Sequence, residues 1–262
     1  MVAIILAAGK GARLLPLTKD RPKILVDLGD GTTLLSRQHE ALSAFRSVNE
    51  LIIGAGHYSE TVRTYLSNLS SSINSQVVHN PFFGTTGPIV TLWIALFRVS
   101  DRDFLFMNGD TIFGKSVYSK IDNLVQSGES GIYLFVSKKQ PGNSDEIGVV
   151  INEENKVVRA EKGLASVDAV SAGLVVVLGS EPRAFLKETI EELSGTEAFL
   201  AQNNTWHSLL NALFVRGYGA QPVYVNSDHW KEIDIHFELN EVQDMIHSKV
   251  ASSRFELDQK RL

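Results

Sequence analysis

The chain has 262 residues, 44% of them hydrophobic and 21% charged, with a net charge of -5 and a mean hydropathy near zero. It is long and apolar enough to bury a large core, and the lack of cysteine excludes disulfides, thiolate metal sites and a cysteine nucleophile. No apolar run reaches the ~18 residues of a membrane span, and MVAIILAAGKG has neither the basic flank nor the A-x-A site of a signal peptide; a cytoplasmic protein that does not enter a membrane is expected.

In chain order, VAIILAA (2–8) predicts a first strand, and LAAGKGARLLPLTKDRPK (6–23) continues from it as a turn rich in glycine and positive charge. Helix LLSRQHEALSAF (34–45) leads to strand ELIIGAG (50–56), and helix SETVRTYLSNL (59–69) to strand QVVHN (76–80). Helix PIVTLWIALFRV (88–99), with Pro88 suited to a first turn, leads to strand DFLFMNGD (103–110). VYSKIDNLVQSG (117–128) reads as a helix and GIYLFVS (131–137) as a strand. EIGVVINEENKVVRAEK (146–162) alternates around Glu153-Glu154-Asn155 and reads as a hairpin. Strand AGLVVVL (172–178) is followed by helices EPRAFLKETIEEL (181–193) and TWHSLLNALFVRG (205–217), the second closed by Gly217. A strand near QPVYV (221–225) precedes a final helix on which Leu239, Val242 and Met245/Ile246 recur.

Most of these strands are continuous apolar runs, as expected when both faces are covered. Alternating with helices, they predict an α/β fold: a Rossmann-like three-layer sandwich around a mostly parallel mixed sheet, with a small hairpin extension. No linker-like stretch divides the chain, so 1–250 reads as a single domain and 251–262 as a polar tail. In such sheets ligands bind beyond the carboxyl ends of the strands. Residues just after a strand therefore gain functional weight.

The charge is unevenly placed. Residues 1–23 hold five basic side chains and one acidic, leaving 20 of the 25 basic and 29 of the 30 acidic residues to the rest. An acidic remainder argues against a nucleic-acid surface, and the local positive charge suits a small anion. Gly9-Lys10-Gly11-Ala12-Arg13-Leu14 is not a dinucleotide fingerprint, because Leu14 stands where a small residue lets helix and strand pack closely, and Pro16 and Pro22 keep the chain irregular. The P-loop pattern is absent as well. What remains is a loop whose glycines let backbone N–H groups approach phosphate oxygens. Arg13 is suited to gripping two oxygens and Lys23 to serving as a mobile point charge. Of Lys10, Lys19 and Arg21, at least two read as solvated surface. Asp110 closes the apolar run FLFMNGD, and Asp234 sits in WKEIDIHFEL. Each alone is as well explained as a turn or cap residue; beside a phosphate loop they become a pair able to hold Mg²⁺. The histidines show no zinc spacing such as H-E-x-x-H.

LAAGKGARLLPLTKDRPK resembles the signature of the sugar-phosphate nucleotidyltransferase family, roughly L-A-A-G-x-G-x-R-x-x-P-x-T-x-x-x-P-K, with every fixed element in order. The resemblance implies that Leu6, Ala7, Ala8, Gly9, Lys10, Gly11, Ala12 and Arg13, with Lys23, Thr86 and Gly87, bind a nucleoside triphosphate. It makes Arg13 and Lys23 catalytic: Arg13 holds the phosphates, and Lys23 neutralises charge developing at the α-phosphate. Asp110, in the family's strand-end G-D, and Asp234, in a segment similar to its E-I-D-T-x-E-D-L, would hold Mg²⁺. Segments 80–95, 161–174 and WKEIDIHFEL resemble the cytidylyltransferase branch that activates phosphocholine or inositol phosphate. At Gly87-Pro88 the chain departs from that branch, and GTTGPI is similar to the GTAG-type segment of hexose-1-phosphate enzymes. The expectation is a Mg²⁺-dependent transferase joining CTP to a small phosphorylated or phosphonate acceptor, with no nucleic-acid or membrane partner; a homo-oligomer is compatible with it. The alternatives are a hexose-1-phosphate thymidylyl- or uridylyltransferase and a non-catalytic regulatory subunit of the same fold. Lys162 is a candidate for the acceptor phosphate. Trp206, Trp230 and Tyr133 are candidates for an aromatic box around a quaternary amine, with Trp230 favoured for its closeness to Asp234.

Overall fold

In the computed structural model, which describes residues 1–69, 73–138, 142 and 145–246, the N-terminal apolar runs form β1 (Val2–Ala7), β2 (Glu50–Ala55), β3 (Asn74–His79) and β4 (Phe104–Asn108). They are joined by α1 (Leu34–Ser43), α2 (Ser59–Ser67) and α3 (Pro88–Leu96). The short β5 (Thr111–Phe113) precedes α4 (Lys115–Ser127), β6 (Gly131–Ser137), the hairpin β7 (Ile147–Ile151) and β8 (Val157–Lys162), and β9 (Ala169–Leu178). The chain continues through α5 (Ser180–Ser194), α6 (His207–Val215), β10 (Gln221–Tyr224) and β11 (Trp230–Glu232). Residues 236–246 are helical, here α7.

The main sheet runs β10-β6-β9-β4-β1-β2-β3, with the β7–β8 hairpin joined to it through β7 and β9. β1 pairs in parallel with both β2 and β4. The first three strands wind to one side and the chain then returns to place β4 on the other side of β1. This reversal leaves a crevice at the carboxyl ends of β1 and β4, where α/β sheets take their ligands. β9 lies antiparallel to both β4 and β6, so the expected mixed sheet changes direction at its centre.

Alternate residues of β1 face two separate cores: Ala3 and Ile5 one, Val2, Ile4 and Leu6 the other. Residues of α1, α2, α4 and α7 cover the first face, and those of α3, α5 and α6 cover the second. Burial on both sides is why the strands read as unbroken apolar runs. Each fully buried Leu, Ile or Phe contributes roughly 1.5–3 kcal/mol by removal from water. Local signals set the helix starts: Pro88 occupies the first turn of α3, and Thr33 and Ser36 form a reciprocal capping box on α1.

One element was not anticipated. β5 and β11 form a separate antiparallel ribbon in which Glu232 faces Thr111 and Trp230 faces Phe113. Each strand is only three residues long, too short for alternation to register. Among the described residues no helix is long and apolar enough to cross a membrane. The tail at 251–262 lies outside the described residues.

Candidate active site

The loop after β1 is shaped by its glycines. Gly11 has φ +63°, and a Cβ there would lie 3.0 Å from both Lys23 Cβ and Thr18 Cγ2. Its carbonyl accepts hydrogen bonds from Thr18 Oγ1 (2.8 Å) and from the Leu14 N–H (2.9 Å), folding the chain into a short 3₁₀ turn at Ala12–Leu14. A second 3₁₀ turn begins at Lys23 and directs its side chain back under the loop.

Asp110 is positioned from three sides. The Gly109 N–H donates to Leu6 O at 2.9 Å, and a Cβ on Gly109 would come within 2.7 Å of that oxygen, so only glycine lets β4 turn against β1. The buried Gln38 amide donates to Asn108 O (3.1 Å) and Thr111 O (2.8 Å), clamping the turn from α1. Finally, Ile233 N–H donates to Asp110 O at 2.9 Å across the β5–β11 ribbon. The ribbon therefore brings Glu232 and Asp234 beside Asp110, and one carboxylate oxygen from each of the three lies within 4.8 Å of the others. Asp234 does not cap α7 with its side chain; Glu238 instead accepts from the Asp234 and Ile235 N–H groups.

Lys23 Nζ donates to Asp110 Oδ2 at 2.7 Å and to Asp234 Oδ1 at 2.5 Å. Burial opposes its charge, but the two carboxylates outweigh burial and raise its pKa, so it stays an ammonium. Arg13 donates to Asp145 at 2.5 Å and to Asp234 at 2.8 Å; its pKa is raised because Asp234 and Asp145 outweigh its desolvation. Lys162 donates to the other oxygen of Asp145 at 2.9 Å. Hydrogen bonds from Lys162 and Arg13 hold the Asp145 carboxyl below its usual range. Glu232 moves the opposite way: burial and the charges of Asp110 and Asp234 raise its pKa against the pull of Lys23.

These groups line one cleft of about 510 Å³. Leu6 through Arg13, Lys23, Thr86, Gly87, Asp110, Lys162 and Asp234 all border it. Lys19 and Arg21 are exposed and do not border the cleft, Arg21 pairing with its neighbour Asp20 at 3.1 Å. Trp230 does not border the cleft but a small adjoining cavity. The three aromatics do not make a box. Trp206 belongs to one core with its indole N–H given to Asn108 Oδ1 at 2.9 Å, while Trp230 and Tyr133 belong to the core on the opposite face of the sheet.

Asn108, Asp145, His207 and Glu232 are among the residues of the cleft that escaped the sequence reading. Glu232 carried a usable signal, since in a strand it shares a side with Asp234 two residues on. Asp145 and His207 carried none, being brought in by the hairpin and by the start of α6. His207 is buried; its Nε2 lies 2.9 Å from Ser171 Oγ and its Nδ1 3.3 Å from Thr205 Oγ1. Burial, reinforced by Lys162, pushes its pKa down to about 3, so the ring is neutral.

Three carboxylates, two of them holding the partly buried Lys23 ammonium, form a set that suits a hard cation such as Mg²⁺. The ammonium already shows that this point requires positive charge.

The profile of the Nucleotidyl transferase family matches residues 2–174, and the chain belongs to that family. Mannose-1-phosphate guanylyltransferase 1 of Arabidopsis thaliana is 26% identical over 216 residues, covering 77% of this chain and 58% of its own length. The CTP:phosphoglutamine cytidylyltransferase of Campylobacter jejuni is 40% identical over 67 residues, 26% of each chain. The chain spans about half the length of the first curated relatives it matches. Among solved structures, the inositol-1-phosphate CTP transferase from T. maritima superposes with a TM-score of 0.74 at 21% identity, covering 93% of this chain and 94% of that one. That likeness shows the fold.

Proposed function

We propose that this member of the nucleotidyl transferase family transfers a nucleoside monophosphate from a triphosphate, CTP in the favoured reading, to a small phosphorylated or phosphonate acceptor. An acceptor oxygen forms a bond to the α-phosphorus, the bond from that phosphorus to the β-phosphate bridge breaks, and pyrophosphate leaves with the electron pair. No covalent intermediate with the protein is required; alignment and charge neutralisation carry such a step. The observation that carries this reading is the ammonium of Lys23 held at 2.7 and 2.5 Å between Asp110 and Asp234, beneath the glycine loop.

The residues divide the work. The loop at 8–13 offers backbone N–H groups to the triphosphate, and Arg13 turns its guanidinium to the phosphate oxygens. Lys23 supplies positive charge where negative charge develops on the α-phosphate, in a partly buried position where that charge counts for more than in water. Lys162, at the hairpin, meets the acceptor phosphate. Asp110, Glu232 and Asp234 would hold Mg²⁺, which when bound supplies further neutralisation of phosphate charge.

CTP is supported by the segments similar to the cytidylyl branch and by the short match to a cytidylyltransferase. A hexose-1-phosphate reading is favoured instead by the longer match to mannose-1-phosphate guanylyltransferases. A regulatory subunit would be free to lose the lysine or an aspartate, and Lys23, Asp110 and Asp234 are all present. The test is pyrophosphate release with Mg²⁺, crossing CTP, UTP, dTTP, ATP and GTP with phosphocholine, 2-aminoethylphosphonate, inositol phosphate, glucose-1-phosphate and mannose-1-phosphate. Release with CTP and a non-sugar phosphate supports the favoured reading. Release only with a hexose phosphate replaces it with the second.

A further inference from the structure

The buried positions of α1 are Leu34, Leu35, Gln38, His39 and Leu42. The three leucines join the core on that face of the sheet, at the spacing of an apolar stripe. Gln38 stands in the middle of the stripe and is 2% exposed. A glutamine in such a place needs a reason, because burying an amide is unfavourable unless its hydrogen bonds are made.

The neighbours fix which way the amide faces. Nε2 has Asn108 O at 3.1 Å and Thr111 O at 2.8 Å, and only the NH₂ end of an amide can face two carbonyl oxygens. Both N–H bonds are then committed, and Oε1 is left buried with no hydrogen-bond partner among the described residues. A buried acceptor left unmade is costly. Packing of α1 therefore does not account for Gln38; the two carbonyls do.

Those carbonyls flank Gly109 and Asp110, so one NH₂ group staples both ends of the turn that presents Asp110. The same turn is tied to β1 by Gly109 N–H to Leu6 O, and to the end of β11 by Ile233 N–H to Asp110 O. Gln38 adds a tie to a helix that is itself anchored, through its capping box and through Thr33 Oγ1 to Tyr65 Oη of α2 at 3.2 Å. From the stapled Thr111 the link reaches the carboxylate. Thr111 Oγ1 makes a long hydrogen bond of 3.4 Å to Asp110 Oδ1, while Lys23 Nζ holds Oδ2 at 2.7 Å. One oxygen each from Asp110, Glu232 and Asp234 lies within 4.8 Å of the others, and that closeness depends on where the turn holds Asp110 against β11. Groups that orient a metal-binding carboxylate commonly change metal affinity by about 10–100-fold.

Resting on the transferase reading above, we propose that Gln38 is a positioning residue for the divalent cation. Acting through the Asn108–Thr111 turn, it holds Asp110 at the distance from Glu232 and Asp234 at which the three share one ion. The experiment is Mn²⁺ titration of the full chain without nucleotide, followed by electron paramagnetic resonance of the free ion, for the wild type, Gln38→Met and Leu42→Ala. Methionine keeps the length of the side chain and removes both donors. Leu42→Ala, one turn further along the same stripe, loosens α1 without removing a hydrogen bond from the turn. Gln38→Met should bind Mn²⁺ about tenfold more weakly, whereas Leu42→Ala should melt at a lower temperature yet bind Mn²⁺ as the wild type does. Unchanged affinity in Gln38→Met, equal weakening in both variants, or no Mn²⁺ binding by the wild type overturns the proposal. Should either variant unfold, the wild-type chain still decides: the side-chain NH₂ resonances of Gln38 should shift as Mg²⁺ is added, and resonances that stay in place overturn it. Pyrophosphate release by the wild type, with unchanged Mn²⁺ affinity in Gln38→Met, would remove Gln38 and leave nucleotidyl transfer standing. Tenfold weaker Mn²⁺ binding in Gln38→Met, with no pyrophosphate released by the wild type from any nucleotide, would do the reverse.

Discussion

Replacing Lys23 by alanine tests the centre of the site through stability and turnover together. The Lys23 side chain is 16% exposed, and its partners Asp110 and Asp234 are 22% and 18% exposed. Without the ammonium, three carboxylates with oxygens within 4.8 Å of one another face a partly buried space. At an effective dielectric constant near 20, two such charges repel by roughly 3 kcal/mol at that separation. Breaking a buried pair by removing one partner costs about 3–5 kcal/mol, and the residual exposure places this site at the low end. With ~2–4 °C of melting temperature per kcal/mol in a chain of this size, Lys23→Ala in chelator is expected to melt roughly 6–12 °C below the wild type. Millimolar Mg²⁺ is expected to restore the variant by more than it stabilises the wild type, because the cation no longer competes with an ammonium for Asp110 and Asp234. Turnover at saturating Mg²⁺ should still fall by about 10²-fold, since the positive charge at the α-phosphate is lost. Thermal unfolding with and without chelator, paired with a pyrophosphate assay, reads all three. Melting within a degree or two of the wild type under both conditions would refute the argument.

Gly11→Ala puts a Cβ at 3.0 Å from Lys23 and Thr18 on a left-handed residue; about 1–2 kcal/mol of stability and about 10²-fold in kcat/KM should be lost as the loop shifts. Gly31→Ala, at φ +79° with nothing near its Cβ, carries the same backbone cost and should leave kcat/KM intact; equal activity in the two variants would show that loop shape does not matter. Glu232→Gln should raise the Mg²⁺ concentration for half-maximal activity by about tenfold, and an unchanged Mg²⁺ requirement would remove Glu232 from the cation site. His207 is depressed to about 3 in the fold against ~6.5 unfolded, so between those values the unfolded chain binds the extra proton and stability is lost as pH falls. At ~1.4 kcal/mol per unit the loss is about 2 kcal/mol between pH 7.5 and 5. Urea unfolding of His207→Gln should show a pH dependence smaller by that amount, and identical pH dependence in both proteins would contradict a buried neutral ring.

The sequence was most legible where one local rule decides the outcome. Pro88 and the run that follows place α3 correctly, and GIYLFVS is β6 residue for residue, because a doubly covered strand has no polar positions to blur its ends. The loop residues and Asp110 were readable from their position after strands at the sheet's reversal point. Glu232 was not, because the ribbon that brings it to Asp110 is a three-residue pairing between segments more than a hundred positions apart. Its partner strand sits in a stretch that reads as an approach to a helix. Asp145 belongs to the chain entering the hairpin, where nothing local announces that its carboxylate will reach Arg13. The aromatic box failed for a related reason. Composition finds tryptophans but does not say which face of the sheet each will occupy, and the sheet separates Trp206 from Trp230.

Most of the cleft's charges are paired within the chain itself. Lys162, Asp145, Arg13, Asp234, Lys23 and Asp110 form a continuous run of alternating charge, each contact between 2.5 and 2.9 Å. In the proposed reaction, phosphate groups that reach Arg13 and Lys162 exchange there for Asp145, whereas Lys10 borders the cleft with no carboxylate partner among the described residues. That exchange is accessible because Asp145 is half exposed and its pairs are screened by solvent. The inner pair of Lys23 and Asp234 is far less exposed, and its exchange is correspondingly more costly. Asp234 links the two zones, since it serves Arg13 and Lys23 together. Were Arg13 to turn to a phosphate, as the proposed reaction requires, Asp234 would lose part of its neutralisation and its affinity for another cation would rise. By linkage, a cation at Asp234 must equally favour the release of Arg13 to phosphate. In the proposed reaction, triphosphate and divalent cation would thus be coupled through one carboxylate, that of Asp234, which Arg13 and Lys23 share.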